Sequence, residues 1–157
     1  MKKKYHVYGI GAALVDTEIE VTDNDLQQLS VDKGLMTLVD EKRQSELVEQ
    51  LSDHLTACRR ASGGSAANTI IAVSCFGGKT FYSCKVADDD NGRFYLDDLG
   101  NAGVDYHTNG ELPNGITGKC LVLITPDAER SMNTYLGISE TLSETELNHD
   151  AIAQSEY

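Results

Sequence analysis

A chain of 157 residues can bury one sizeable hydrophobic core, so neither disulfides nor a structural metal is needed to hold it together. Its 25 acidic and 13 basic residues give a formal net charge of −12, which argues against nucleic acid or an anionic membrane surface as a partner. The four cysteines and four histidines are scattered without zinc spacing, so we expect no protein-held metal and reduced thiols in a cytoplasmic protein.

The amino-terminal part of the chain is predicted to form strands of two kinds. Residues 5–14 are rich in Val, Ile and Tyr and contain a Gly-x-Gly turn signal, which is typical of a buried strand opening an α/β sheet. Residues 17–21 alternate, with Ile19 and Val21 on one face and two glutamates on the other, as in a half-exposed antiparallel strand. Because the two patterns require different surroundings, we expect two sheets.

The remainder of the chain alternates between helices and strands, as indicated by apolar spacing, capping residues and turn signals. The predicted helices cover residues 40–55, 66–76 and 90–101, and a last one begins at the capping box 143–146. The predicted strands cover residues 34–39, 80–84 and 104–107, followed by a hairpin formed by 116–125 and 130–136. Because such a pattern normally continues into another parallel strand, we expect the chain to be part of a longer protein.

Four stretches of the sequence resemble one known family. Residues 61–69 read A-S-G-G-S-A-A-N-T, a glycine pair before a helix with Asn in its first turn, which is similar to the first signature of the PfkB family of ribokinase and adenosine kinase. Residues 9–16 resemble the family's opening strand ending in a substrate-binding Asp. Residues 85–92 resemble its G-x-D-D-x-F-G stretch, with K-V-A in place of the usual G-x-V-G, and residues 117–137 resemble its T-G…D-G-E-R-T…G region.

The resemblance implies a fold class and a reaction. The fold would be α/β, with a ribokinase-like three-layer α/β/α core and a small antiparallel β-sheet lid made from discontinuous segments at about 14–21, 33–39 and 117–136. The reaction would transfer the γ-phosphate of ATP to a hydroxyl of a sugar or nucleoside, with Mg²⁺ held mainly through phosphates and water. The acidic run 88–90 is predicted to be a solvated helix start. A homodimer through the lid would also fit the family.

The resemblance also assigns an acceptor site. Asp16 would accept hydrogen bonds from adjacent hydroxyls of a ribose or hexose, and Asn68 would reach the same hydroxyls from the start of its helix. Gly63 and Gly64 would bring the backbone close to the ligand and provide a hinge. Without the motif, each residue has an ordinary local explanation, because Asp and Asn cap turns and helices and glycine pairs punctuate loops.

Four further positions complete the predicted site. Leu14 stands where ribokinase-like members carry Asn, and an apolar side chain there favours the face of a purine over a sugar hydroxyl. Thr37 and Cys120 are assigned to substrate binding as well. Arg130 would stabilise the charge of the transferring phosphoryl group, and its alternative is a surface ion pair with Glu129 or another neighbour.

The family's second signature, D-T-x-G-A-G-D, is absent from these residues. In the family it supplies the general-base Asp and the anion hole, so we expect residues 1–157 to be the amino-terminal part of one ribokinase-like domain, without the ATP-binding part. The remainder would belong to the same chain or to a separate one, or the protein is a short homologue that binds without catalysing. A non-catalytic sugar- or nucleoside-binding module is therefore the alternative function. A nucleotide-dependent oxidoreductase is a distant third, since Leu14 occupies the position of the third fingerprint glycine.

Overall fold

The computed structural model describes residues 3–108 and 110–157, which form five α-helices and eight strands in two sheets. The strands are β1 (Val7–Ile10), β2 (Leu14–Glu20), β3 (Met36–Leu38), β4 (Arg59–Gly63), β5 (Thr80–Ser83), β6 (Val104–Asp105), β7 (Gly118–Ile124) and β8 (Arg130–Tyr135). The α-helices are α1 (Asp23–Gln28), α2 (Glu41–Gln50), α3 (Ser65–Cys75), α4 (Asp90–Asn101) and α5 (His149–Ala153). Three 3₁₀-helical turns cover Ser52–Ala57, Gly137–Thr141 and Glu144–Glu146. None of the helices described here is long and apolar enough to cross a bilayer.

The first sheet is parallel and lies between helices. Its strand order is β1-β5-β6, so β5 is central. On one face, Tyr82 of β5 packs in a buried cluster with Ile70 of α3 and Leu99 of α4. On the other face, Phe81 packs with Ala151 of α5. Because neighbouring side chains of a strand point to opposite faces, the helices cover both sides of the sheet, as the predicted three-layer core requires.

The second sheet has five strands in the order β3-β8-β7-β2-β4. The predicted hairpin is confirmed, because β7 and β8 pair antiparallel. The sheet is mixed, however, where the sequence predicts an antiparallel one: β2 pairs antiparallel with β4 but parallel with β7, and β3 pairs parallel with β8. The physical reason is topological, since long connections bring β2 beside β7 and β3 beside β8, whereas only β7 and β8 are joined by a short turn.

The two faces of the second sheet differ. On one face, Ile19 of β2 and Leu123 of β7 are buried in a cluster with Leu26 of α1 and Leu47 of α2, and we call this the helix-covered face. The strand register places Asp16 on the other face, beside Cys120, and we call this the Asp16 face. The alternation predicted for residues 17–21 is thus confirmed, because Ile19 and Val21 are buried while Glu20 is exposed.

The predicted bounds of the first strand are wrong. Residues 5–14 are not one strand: β1 ends at Ile10, and Leu14 already belongs to β2 in the other sheet. Residues 11–13 cross between the sheets, where the Ala13 N–H donates to Ser139 Oγ at 3.2 Å. As a result, Asp16 lies inside a strand rather than at the end of one.

Other differences reflect local capping and tertiary pairing. The helix predicted over residues 40–55 ends at Gln50 and gives way to a 3₁₀ turn. The capping box at Ser143 caps a 3₁₀ turn, and α5 begins only at His149. The sequence analysis does not predict α1, although Thr22 and Asp25 form its capping box. It does not predict β4 either, because the sequence R-R-A-S-G has no apolar alternation and is held extended by pairing with β2.

Candidate functional site

Part of the predicted site lies where the second sheet joins α3. In the register of β2 and β4, Leu14 lies opposite Gly63, and Asp16 lies opposite Ala61. The Asp16 carboxylate rests against Gly63 so closely that a Cβ atom at position 63 would overlap all three carboxylate atoms. Glycine is therefore required at position 63 as long as Asp16 keeps this orientation.

Asp16 is an ionisable side chain without a partner. It is half-buried, and among residues 3–108 and 110–157 its carboxylate makes neither a hydrogen bond nor an ion pair. Burial and the nearby charge of Glu18 raise its pKa from the usual 3.8 to about 6, and Arg130 opposes this rise. A carboxylate that has lost water without gaining hydrogen bonds is available to accept them from a ligand.

Gly64 makes the turn from β4 into α3. Its φ of +102° lies in the left-handed region, and a Cβ there would come within 2.8 Å of the Ala12 carbonyl oxygen. Gly64 is the N-cap of α3, and its carbonyl oxygen accepts the N–H of Asn68 at 2.9 Å. The Asn68 side chain is exposed in the first turn of this helix. The structure therefore brings Leu14 and Gly63 beside Asp16, with Gly64 next in the chain and Asn68 in the first turn of the helix that follows.

Cys120 also belongs to this neighbourhood. It lies opposite Asp16 in the parallel pairing of β2 and β7, and Thr134 Oγ1 donates a hydrogen bond to its Sγ atom at 3.2 Å. Burial raises the pKa of the Cys120 thiol to about 11. At neutral pH this side chain is therefore an uncharged, weakly polar group beside the carboxylate.

Thr37 is not brought to the same side of the sheet. It pairs with Asn133 of β8, which pairs with Leu121 of β7, and this register places all three on the helix-covered face. Its neighbours Met36 and Leu38 lie on the Asp16 face, with 57% and 60% of their surface exposed. The sequence analysis does not assign these two apolar residues to the site, although the period-2 alternation of β3 is a signal that could have placed them on this face.

The backbone of Arg130 is separated from the acceptor residues, while its side chain reaches back along the Asp16 face. It begins β8 opposite Ile124, four positions along the strand from Thr134, which is a separation of about 13 Å. Its side chain is 62% exposed, and its Nη2 atom lies 3.6 Å from Oε1 of Glu18. The predicted alternative of a surface ion pair therefore describes Arg130 in this structure, although the partner is Glu18 rather than Glu129.

One residue of the acidic run 88–90, Asp89, has a structural role. Asp89 is the N-cap of α4 and accepts the Gly92 N–H at 2.7 Å. It also accepts the backbone N–H of Thr117 at 2.9 Å and the Thr117 hydroxyl at 2.7 Å. Burial alone would raise the pKa of Asp89, but these hydrogen bonds hold it below its usual value. Asp89 thus ties the start of α4 to the start of β7.

The described residues contain no cluster of potential metal ligands. Within residues 3–108 and 110–157 no group of three or more His, Cys, Asp or Glu side chains is arranged to hold a metal ion. Mg²⁺ that accompanies a nucleotide is held mainly by phosphate oxygens and water with one or two carboxylates, and such binding does not require a cluster of this kind.

Comparisons with known proteins agree with this architecture. A family model described as pfkB family carbohydrate kinase matches residues 28–157. The chain is similar to the adenosine kinase from Sinorhizobium meliloti, at 37% identity and a TM-score of 0.85, and to a probable sugar kinase from Rhizobium etli CFN 42, at 33% and 0.86. Both matches cover 98% of this chain and 46% of the other.

The match to a curated relative also covers only part of that protein. The probable fructokinase-5 of Arabidopsis thaliana is 31% identical over 102 residues, which are 64% of this chain and 32% of that protein. The chain therefore spans about a third of this relative and slightly less than half of the solved kinase chains. The resemblance inferred from the sequence motifs is confirmed, and so is the ribokinase-like fold. The chain belongs to the pfkB family of carbohydrate kinases.

Proposed function

We propose that this chain contributes the acceptor-binding part of an ATP-dependent kinase that phosphorylates a hydroxyl of a sugar or nucleoside. The observation that carries the proposal is the Asp16 carboxylate, which is half-buried, unpaired among the described residues and pressed against the glycine pair of the family signature. Family membership supports the reaction class, and the site geometry supports the role of these residues within it.

Phosphoryl transfer depends mainly on aligning the attacking hydroxyl with the γ-phosphate. Asp16 can accept two hydrogen bonds from adjacent hydroxyls, one at each oxygen. Asn68 projects from the first turn of α3 and can donate and accept toward the same ligand. Together they would fix the position and rotation of a sugar ring, while Gly63 and Gly64 leave room for it beside the backbone.

The second sheet would act as a lid over the acceptor. Its strands include the three predicted segments at about 14–21, 33–39 and 117–136, and β4 joins them as an edge strand. Closure of such a sheet would exclude water from the transferring phosphoryl group. Arg130 would then have to leave Glu18 and approach that group. This exchange costs little, because the ion pair between Arg130 and Glu18 is exposed and therefore weak. A homodimer through the lid also stays a proposal, supported only by exposed apolar residues on β3.

The Asp16 face favours a nucleoside over a simple sugar. Leu14 and Cys120 flank the carboxylate, and Met36 and Leu38 continue the apolar surface across β8 to β3. A purine or pyrimidine ring can cover such a surface without leaving a polar group unpaired, whereas sugar hydroxyls would lose hydrogen bonds to water.

ATP and Mg²⁺ belong to the proposed reaction, which the family match supports. When bound, Mg²⁺ would neutralise charge on the phosphates. The general base and the anion hole that the family places in D-T-x-G-A-G-D have no counterpart in this sequence. The same acceptor site would also serve a non-catalytic sugar- or nucleoside-binding module, which is the alternative function.

An ADP-release assay with the complete protein separates the two functions. The acceptor panel would contain several hexoses, ribose and the common nucleosides, each tested with ATP and Mg²⁺, and isothermal titration would measure binding of the same compounds. The proposal expects acceptor-dependent ADP release, strongest with a nucleoside. Binding without ADP release would favour the binding module, and absence of both would overturn the acceptor site itself.

A further inference from the structure

One face of α4 holds the strand that leads into the glycine pair. Four residues at helical spacing, Asn91, Phe94, Tyr95 and Asp98, contact β4. Asn91 Oδ1 accepts a hydrogen bond from Arg60 Nη2 at 2.5 Å, and the Arg60 guanidinium lies 4.5 Å from the centre of the Phe94 ring. These two contacts anchor the outer part of the strand.

The other two contacts lie next to the glycine pair. The Tyr95 hydroxyl, which is fully buried, donates to the Gly63 carbonyl oxygen at 3.1 Å. Asp98 Oδ2 accepts the Ser62 N–H at 3.0 Å. Two successive residues of the backbone are therefore each held by a side chain of α4.

These contacts replace a missing strand neighbour. β4 is at the edge of its sheet, with β2 on one side only, so nothing in the sheet occupies its outer edge. Backbone groups on a free edge are normally left to water or to an accidental partner. Here the Ser62 N–H is taken by the Asp98 carboxylate, which is a stronger acceptor than a neutral carbonyl.

We propose that Tyr95 and Asp98 are positioning residues for the acceptor site. The inference rests on the proposed function and adds to it: the two side chains hold the backbone at Ser62 and Gly63, which keeps Gly63 against Asp16. They act through the backbone and do not touch the ligand. Because a displacement of about 1 Å at a binding group is enough to weaken alignment severely, this support is needed for tight acceptor binding.

The first test compares Asp98→Ala with Asp97→Ala in the complete protein. Asp97 is the exposed neighbour on the same helix and forms no hydrogen bond or ion pair among the described residues, so its variant matches the change in charge and helix propensity. Asp98→Ala is expected to speed hydrogen exchange at the Ser62 amide by about tenfold or more and to raise the acceptor KM about tenfold, with the ATP KM unchanged. Asp98→Asn retains an acceptor oxygen, so the increases in the Ser62 exchange rate and in the acceptor KM should both be smaller than in Asp98→Ala.

The second test compares Tyr95→Phe with Tyr5→Phe. Tyr5 is also buried, and its hydroxyl donates to Asp105 Oδ2 at 2.8 Å, far from the glycine pair in the fold. Each variant removes a phenolic hydroxyl that donates a hydrogen bond, and the Tyr95 hydroxyl also interacts with that of Tyr82, so both proteins should lose stability. Only Tyr95→Phe should raise the acceptor KM, by about threefold to tenfold.

The outcomes separate this inference from the proposed function. Equal exchange rates at Ser62 in the Asp97 and Asp98 variants would overturn the positioning role. So would a normal acceptor KM in both Asp98→Ala and Tyr95→Phe, or a rise in the ATP KM as large as that of the acceptor. If the wild-type protein phosphorylates nothing, the proposed function fails, and the exchange comparison at Ser62 still decides whether Asp98 holds this backbone.

Discussion

Replacing Asp16 with Asn should stabilise the protein while weakening acceptor binding. Burial and Glu18 raise the pKa of Asp16 to about 6, above the usual 3.8, so the folded state binds its proton more tightly than the unfolded chain. The contribution of a raised carboxyl pKa to stability is therefore fully present below about pH 3.8 and is lost as the pH rises through about 6. Above this window the folded protein carries an unfavourable charge, which Asn removes.

The size of the gain follows from the two pKa values. A rise from 3.8 to about 6 would correspond to about 3 kcal/mol at neutral pH for a fully buried carboxyl, and because Asp16 is only half-buried, screening by solvent reduces this to about 1.5 kcal/mol. At about pH 4.5 the unfavourable charge costs only about a third as much, so the gain from Asp16→Asn should grow by about 1 kcal/mol between about pH 4.5 and about pH 7.5. Urea unfolding of both proteins at several pH values measures this difference directly.

Glu20→Gln is the matched control, because Glu20 is an exposed carboxylate on the same strand and its variant has the same change in net charge. It should change stability by no more than about 0.5 kcal/mol at either pH. In the same Asp16→Asn protein, the acceptor KM should rise about 100-fold, because two charge-assisted hydrogen bonds are weakened. A loss of stability at neutral pH, or a gain that does not depend on pH, would refute the view that Asp16 is an uncompensated carboxylate.

Three other outcomes follow from the same geometry. Gly63→Ala should displace the Asp16 carboxylate and raise the acceptor KM by about tenfold or more. The control is Gly100→Ala, at an exposed helical position with room for a methyl group, which should leave the acceptor KM unchanged and add about 0.5–1 kcal/mol of stability. Equal acceptor KM values in the two variants would contradict the close contact between Gly63 and Asp16. The kcat/KM for the acceptor should fall as the pH drops below about 6, because Asp16 becomes protonated there, and a pH profile that is flat down to about pH 5 would be inconsistent with this assignment. Maleimide labelling followed by mass spectrometry should modify the exposed Cys75 first and Cys84 much more slowly, because Cys84 is partly buried and desolvation raises its pKa to about 12. Rapid labelling of Cys84 would contradict this raised pKa.

Much of the core could be predicted from local sequence. The helix predicted over residues 90–101 coincides with α4, because the Asp89 cap and the glycine after Ala102 mark both ends. The hairpin of β7 and β8 is equally local, since Pro126-Asp127 form its turn. In such cases the signal and the structure it specifies lie within a few residues of each other.

The second sheet could be predicted only in part, because its pairings are between distant segments. β4 has no strand pattern of its own and depends on β2, which lies about forty residues earlier. The parallel pairing of β2 with β7 joins segments more than a hundred residues apart, and no sequence signal specified its direction. The result is a mixed sheet where an antiparallel one was expected.

The candidate site shows the same division. A motif predicts Asp16, the glycine pair and Asn68, and the structure places the Asp16 carboxylate against Gly63. Asn68 lies in the first turn of the helix that follows, and its role stays a prediction. Thr37 was assigned to the same site, but a shift of one residue along a strand reverses the face, and Met36 and Leu38 take that position instead. The contacts of α4 with the backbone of β4 were not predicted at all, because any residue type offers the same carbonyl and N–H groups and the sequence therefore does not show which of them are bound.

The central claim is that the Asp16 carboxylate binds a pair of adjacent hydroxyls on the acceptor. The most direct measurement is a double cycle: kcat/KM for the active acceptor and for its analogue lacking one of those hydroxyls, each with wild-type protein and with Asp16→Asn. The wild type should prefer the complete acceptor by about 100-fold, and the variant should lose most of that preference. An undiminished preference in the variant would show that another group recognises these hydroxyls.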